Sequence, residues 1–156
     1  TPGKERENEA CQEMEKLEIC PVESSGGKLF KMGMGFQVAD VRKPLVAVKR
    51  ISEKGNLVQF GPQKEDNFIQ NKQTRDKIFL REQGNSYIMD VQFENGEWTE
   101  ITVDSAAEES VCPKSWGQQF GILPAERKLR LVNASGGNIE HHGRREVTIQ
   151  AELCPF

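Results

Sequence analysis

Trp98-Thr99-Glu100-Ile101-Thr102-Val103-Asp104-Ser105-Ala106-Ala107-Glu108-Glu109-Ser110-Val111-Cys112 is the stretch on which the fold turns. Ile101 and Val103 alternate with Thr102 in a β-branched run, which is strand periodicity, and the run stops at Asp104. An acid at the exit of a buried strand, followed by a hydroxyl and by residues too small to crowd it, suits acid/base chemistry. Asp-Ser after a strand also opens ordinary turns, because both side chains bond nearby backbone amides.

Working upstream, Glu94-Asn95-Gly96-Glu97 carries the Asn-Gly hairpin signal, so a strand over 86–93 should fold back antiparallel onto 98–103. Strand-like alternation begins at Leu29, with Phe36, Val38 and Val41 bracketing a first run. Pro44-Leu45-Val46-Ala47-Val48, Asn56 to Phe60, Asn67 to Asn71 and Lys77 to Arg81 continue it, with turn residues between them. Downstream, Ser110 to Pro113 reads as a short turn with a few helical residues near Trp116. Leu129 to Val132 and Glu146 to Ile149 are then two strands around a loop rich in Ser, Gly and Asn. No helix of conventional length stands out. Short strands at turn-separated intervals make the chain mainly β, a small barrel or sandwich.

The 156 residues suit a polar N-terminal arm or short helix and linker over 1–27, followed by one β domain over 28–156. Within the arm, Ala10, Met14 and Leu17 give only a thin apolar stripe, and Cys20 to Gly27 is a linker by composition. A net charge of −3 argues against nucleic acid as a partner, and Arg127/Lys128/Arg130 and Arg144/Arg145 read as solvated faces. No apolar run approaches the roughly 20 residues of a membrane span, and no signal-type segment opens the chain. Cys11, Cys20, Cys112 and Cys154 lack zinc-site spacing and disulfide-scaffold density, so reduced thiols in a cytoplasmic-type compartment are expected, with a Cys20–Cys154 pair left open.

Thr102-Val103-Asp104-Ser105-Ala106-Ala107 resembles the hydrophobic-hydrophobic-Asp-Ser/Thr-Gly-Ala signature of retropepsins, the aspartic proteases of retroviruses and LTR retroelements. Thr102 takes a usually apolar place and Ala106 that of the glycine. Lys43 through Phe60 is similar to the segment that follows the flap in copia-type retroelement proteases, and Asn67 to Asp90 to its tail of hairpins. Val132-Asn133-Ala134-Ser135-Gly136-Gly137-Asn138-Ile139, with Gly143 and Val147-Thr148-Ile149, resembles the flap hairpin and the strand after it. The likeness covers roughly 36–150 and extends to protease-like segments of dinoflagellate retroelement polyproteins. Its order is swapped, because the aspartate strand and flap follow the Leu-Val-Ala segment instead of preceding it. The chain is then either a circular permutant or an excerpt across tandem copies.

What the resemblance implies is a small closed acid-protease barrel, circularly permuted, and an aspartic endopeptidase that processes a peptide or polyprotein substrate. Asp104 would be catalytic, and Ser105 would brace its loop. Ala106, Ala107 and the flap residues Ala134, Ser135, Gly136, Gly137 and Asn138 would border the substrate. With one matching aspartate per chain, the site needs a homodimer. No cofactor and no metal are implied: adjacent His141 and His142 on a strand should point to opposite faces, with no third ligand suitably spaced. The glycine replacements at Ala106 and Ala47 suit a second reading, a catalytically inactive retropepsin-like module that binds protein or serves a larger assembly.

Overall fold

The computed structural model describes residues 20–24, 27–127, 129–133 and 135–153. Its strands are β1 (Cys20–Ser24), β2 (Gly27–Ala39), β3 (Leu45–Ala47), β4 (Asn56–Gln59), β5 (Phe68–Asn71), β6 (Lys77–Phe79), β7 (Arg81–Gln83), β8 (Ser86–Gln92), β9 (Trp98–Asp104), β10 (Val111–Cys112), β11 (Leu131–Val132), β12 (Asn138–Ile139) and β13 (His141–Glu152). A short helix, α1 (Val48–Glu53), follows β3 directly.

The mainly β expectation holds. Six strands close into a ring in the order β2, β10, β3, β9, β8, β13 and back to β2. Closure leaves none of the six with a wholly unpaired edge. Two contacts in the ring are parallel, β10 with β2 and β3 with β9, and the others are antiparallel. The longest seam joins β2 to β13 from His141↔Ala39 to Glu152↔Leu29. Along β2 the even positions Phe30, Met32, Met34, Phe36 and Val38 are buried, while Gly33 and Gly35 face outward. From β13 come Val147, Ile149 and Ala151, and from β9 Ile101 and Val103. Each large apolar side chain sealed here contributes on the order of 1.5–3 kcal/mol.

The hairpin signal at Asn95-Gly96 is realised: β8 pairs with β9 from Tyr87↔Val103 to Gln92↔Trp98, and Gly96 has φ +92°. β4, β5 and β6 form a separate antiparallel meander that packs Ile69 and Ile78 onto the ring core. Lys54-Gly55-Asn56 is the stop of α1: Gly55 donates its N–H to Ser52 O and takes φ +90°.

Several expectations change. Residues 20–24, read as linker, form β1 against the first half of β2, because pairing with a strand already fixed in the ring satisfies their backbone groups. The N-terminal arm of 1–19 lies outside the described residues, as does Cys154 of the Cys20–Cys154 pair. Val111–Cys112, read as a turn, is a ring strand wedged between β2 and β3. Arg145 is not on a solvated face but buried at 2% exposure, because it occupies an inward position of β13 in line with Val147 and Ile149. Among the described residues no helix is long and apolar enough to cross a membrane.

Candidate functional site

β9 is held on both sides, by β8 and by β3, and its last residue is Asp104. In the parallel pairing with β3, Asp104 lies beside Ala47, whose side chain is fully buried. The Asp104 side chain is half-buried, and its Oδ1 accepts the Ala106 N–H at 2.8 Å. That bond turns the chain sharply as it leaves the strand. Ser105 and Ala106 are consequently exposed, with Ala107 half-buried behind them.

The far end of this loop is tied down more tightly. Ser110 is buried; its Oγ accepts the Ala47 N–H at 3.0 Å and its carbonyl accepts the Gln37 N–H at 2.8 Å. Glu109 is ion-paired to Arg50 of α1 and, at 3.2 Å, to Arg127. Its hydrogen bond raises the pKa of the Arg50 guanidinium, against the opposing effect of burial. Glu109 is therefore a clamp between the loop and α1. Its neighbour Glu108 is exposed.

The expected flap is a hairpin of its own. β11 and β12 pair as Leu131↔Ile139 and Val132↔Asn138. At the tip, Asn133 Oδ1 accepts the N–H groups of Ser135 and Gly137 at 3.0 and 2.9 Å, and Gly136 takes φ +85°. Ser135, Gly136, Gly137 and Asn138 are exposed, and Ala134 lies outside the described residues. No hydrogen bond among the described residues joins this hairpin to the Asp104 turn. A polar cleft of about 650 Å³ opens elsewhere, between Gly33 and Gly35 of β2, Arg50 and Ile51 of α1, Glu109 and Arg144. Asp104 does not line it.

The histidine pair sits at an irregularity of β13. β13 carries a bulge between His141 and Gly143, so strict alternation fails there. His141 Nε2 meets Gln37 Oε1 at 2.7 Å, and His142 Nε2 meets Asp40 Oδ1 at 2.7 Å. Glu140 completes a trio in which the ligand atoms of Asp40, Glu140 and His142 lie within 4.8 Å of one another. Asp40, just past the end of β2 and 102 positions away from His142, is the member of this trio that the local sequence does not supply. Only the β2–β13 register reveals it.

Cys112 is fully buried, and desolvation pushes its thiol up to about 11, with Arg145 offsetting part of that rise. A thiol so held is a poor nucleophile. No family model, curated protein or solved structure matches the chain.

Proposed function

We propose that the chain is an aspartic endopeptidase of the retropepsin-like, polyprotein-processing type, in circularly permuted order and active as a homodimer. The observation that carries this reading is the placement of Asp104. It ends an inner strand, β9, in parallel register with the Leu45–Ala47 strand that leads straight into α1. The turn after it is exposed, and a glycine-tipped hairpin follows later in the chain. The single aspartate of this signature in each copy suits a substrate groove formed where two copies meet.

In such a dimer the two Asp104 carboxylates face each other across the two-fold axis. Carboxylates about 3 Å apart do not both ionise, so the pair holds one proton between them and titrates as a unit. The ionised member takes a proton from a bound water as its oxygen attacks the peptide carbonyl carbon. The protonated member donates to the carbonyl oxygen; the aspartic acid that took the water proton then gives it to the leaving nitrogen as the C–N bond breaks, while the other carboxylate takes back a hydroxyl proton, which leaves the pair with one proton again. The 131–139 hairpin excludes bulk water.

A second reading rests on Ala106, which stands where the protease signature has glycine: the fold then serves as a protein-binding subunit. Peptide cleavage at mildly acid pH, with and without pepstatin, separates the two. Asp104→Asn should lower pepstatin-sensitive cleavage by at least about a hundredfold while far-UV circular dichroism stays unchanged. Equal rates for the two proteins, or full activity from a strict monomer by sedimentation, overturns the protease reading.

A further inference from the structure

We propose that Asp40, Glu140 and His142 form a binding site for one divalent transition-metal ion of the zinc class. Backbone geometry brings the three together before any ion is considered. Val41 N–H donates to Ala39 O at 2.8 Å, making a tight turn with Asp40 at its apex, and Asp40 N–H donates to Glu140 O at 3.2 Å. The bulge then inserts His142 as an extra residue between two ladder positions, and its imidazole reaches back to the Asp40 carboxylate. His142 is the most enclosed of the pair, with 17% of its side chain exposed against 55% for Asp40.

Charge separates this trio from the acids that face an arginine. Asp90, Glu100, Glu109 and Glu146 are each matched by an arginine. Among the described residues no lysine or arginine forms an ion pair with Asp40 or Glu140, and the basic group that meets Asp40 is the His142 imidazole. A divalent cation neutralises both carboxylates. One imidazole nitrogen with two carboxylate oxygens favours zinc over magnesium or calcium, which prefer all-oxygen shells. Ligand atoms about 2.0–2.2 Å from a common zinc ion lie roughly 3.0–3.6 Å apart. The present spread, up to 4.8 Å, closes by a shift of about an ångström, which the exposed Glu140 side chain can make. Three protein ligands leave at least one position for water.

Glu140 sits between β12 and β13, at the root of the 131–139 hairpin. A bound ion therefore fastens that root to the end of β2, whether or not Asp104 is catalytic.

Isothermal titration of the intact chain with zinc chloride tests the site, with magnesium and calcium chlorides as comparisons. The expected result is one zinc per chain at micromolar affinity and far weaker magnesium and calcium binding. Asp40→Asn and Glu140→Gln should each weaken zinc by about tenfold or more, and His142→Gln by more still. His141→Gln, whose imidazole bonds Gln37, should leave affinity unchanged. Because Asp40 and Glu140 are exposed, their variants keep the test valid even if His142→Gln fails to fold. Binding no tighter than roughly millimolar overturns the proposal. So does a pattern in which His141→Gln matters as much as His142→Gln while the carboxylate variants do not.

Discussion

Replacing Arg145 by methionine tests how the ring is sealed at the β10 side. The side chain points inward at 2% exposure, and among the described residues no carboxylate pairs with it; it lies against the Cys112 thiol and donates to backbone carbonyls. Nε donates to Gly121 O at 2.8 Å, and Nη1 reaches Lys114 O at 3.2 Å, Pro113 O at 3.4 Å and Trp116 O. The guanidinium thus gathers the loop from 113 to 121 around one charge. Methionine keeps the aliphatic stem but removes every donor. Nη1 has two hydrogens for three carbonyls, and Gly121 and Lys114 belong to exposed residues that water can reach, so the loss is nearer two full bonds than four. At about 1.5–3 kcal/mol for a hydrogen bond to a charged group, and allowing for the desolvation cost that methionine avoids, Arg145→Met should lose about 3 kcal/mol. With a urea m-value of about 2 kcal/mol/M, the midpoint falls by roughly 1.5 M. Arg145→Lys keeps the charge but only one nitrogen, and should lie between the two. A methionine variant within about 0.5 kcal/mol of the parent, or more stable, would mean that burying the charge costs as much as its carbonyls return.

Two further perturbations probe the same region. Gly143 takes φ +138°, and a Cβ there would stand 2.5 Å from Leu123 O, in the bridge where Leu123 and Arg144 exchange backbone bonds at 2.7 and 2.9 Å. Gly143→Ala should therefore cost about 2–3 kcal/mol and lower the melting temperature by roughly 5–10 °C; an unchanged melt would show that the bulge relaxes freely. For Cys112, whose folded pKa is raised to about 11 from 9.0, the native state keeps a proton that the unfolded chain releases. Its contribution is complete below pH 9 and is lost as pH rises through 11, about 2–3 kcal/mol in all. Urea unfolding from pH 8 to 11 should fall more steeply for the parent than for Cys112→Ala, and parallel curves would refute the assignment.

Local signals carried most of the strand layout. Asn95-Gly96 specifies the β8–β9 hairpin because few residue pairs accept that turn's backbone angles, and the alternation beginning at Leu29 names the inward residues of β2. α1 was hidden because Val46-Ala47-Val48 runs across its start as one apolar block, and six residues are too few to display helical spacing. β10 was hidden because two residues carry no period. For the site, Asp104 announces itself as an acid at the end of a strand. The Ser110 tie to Ala47, the Glu109 clamp and the Asp40–Glu140–His142 trio depend on which strands become neighbours, and no local window contains that information. Arg145 misled because a buried arginine beside an exposed one looks like a basic surface pair.

The seam between β2 and β13 also governs the order in which the protein can be assembled. Gln37 and His141, joined across it, stand 104 positions apart. During synthesis β2 leaves the ribosome with Phe30, Met32, Met34, Phe36 and Val38 on one face, and the strand that covers its flank is made only after most of the chain. The β8–β9 hairpin and the β4–β6 meander have nearby partners and can form at once, while the ring waits for a long loop to close. Through that interval the apolar face of β2 is the segment most exposed to wrong partners, and a chaperone that shields it would protect the yield of folded protein.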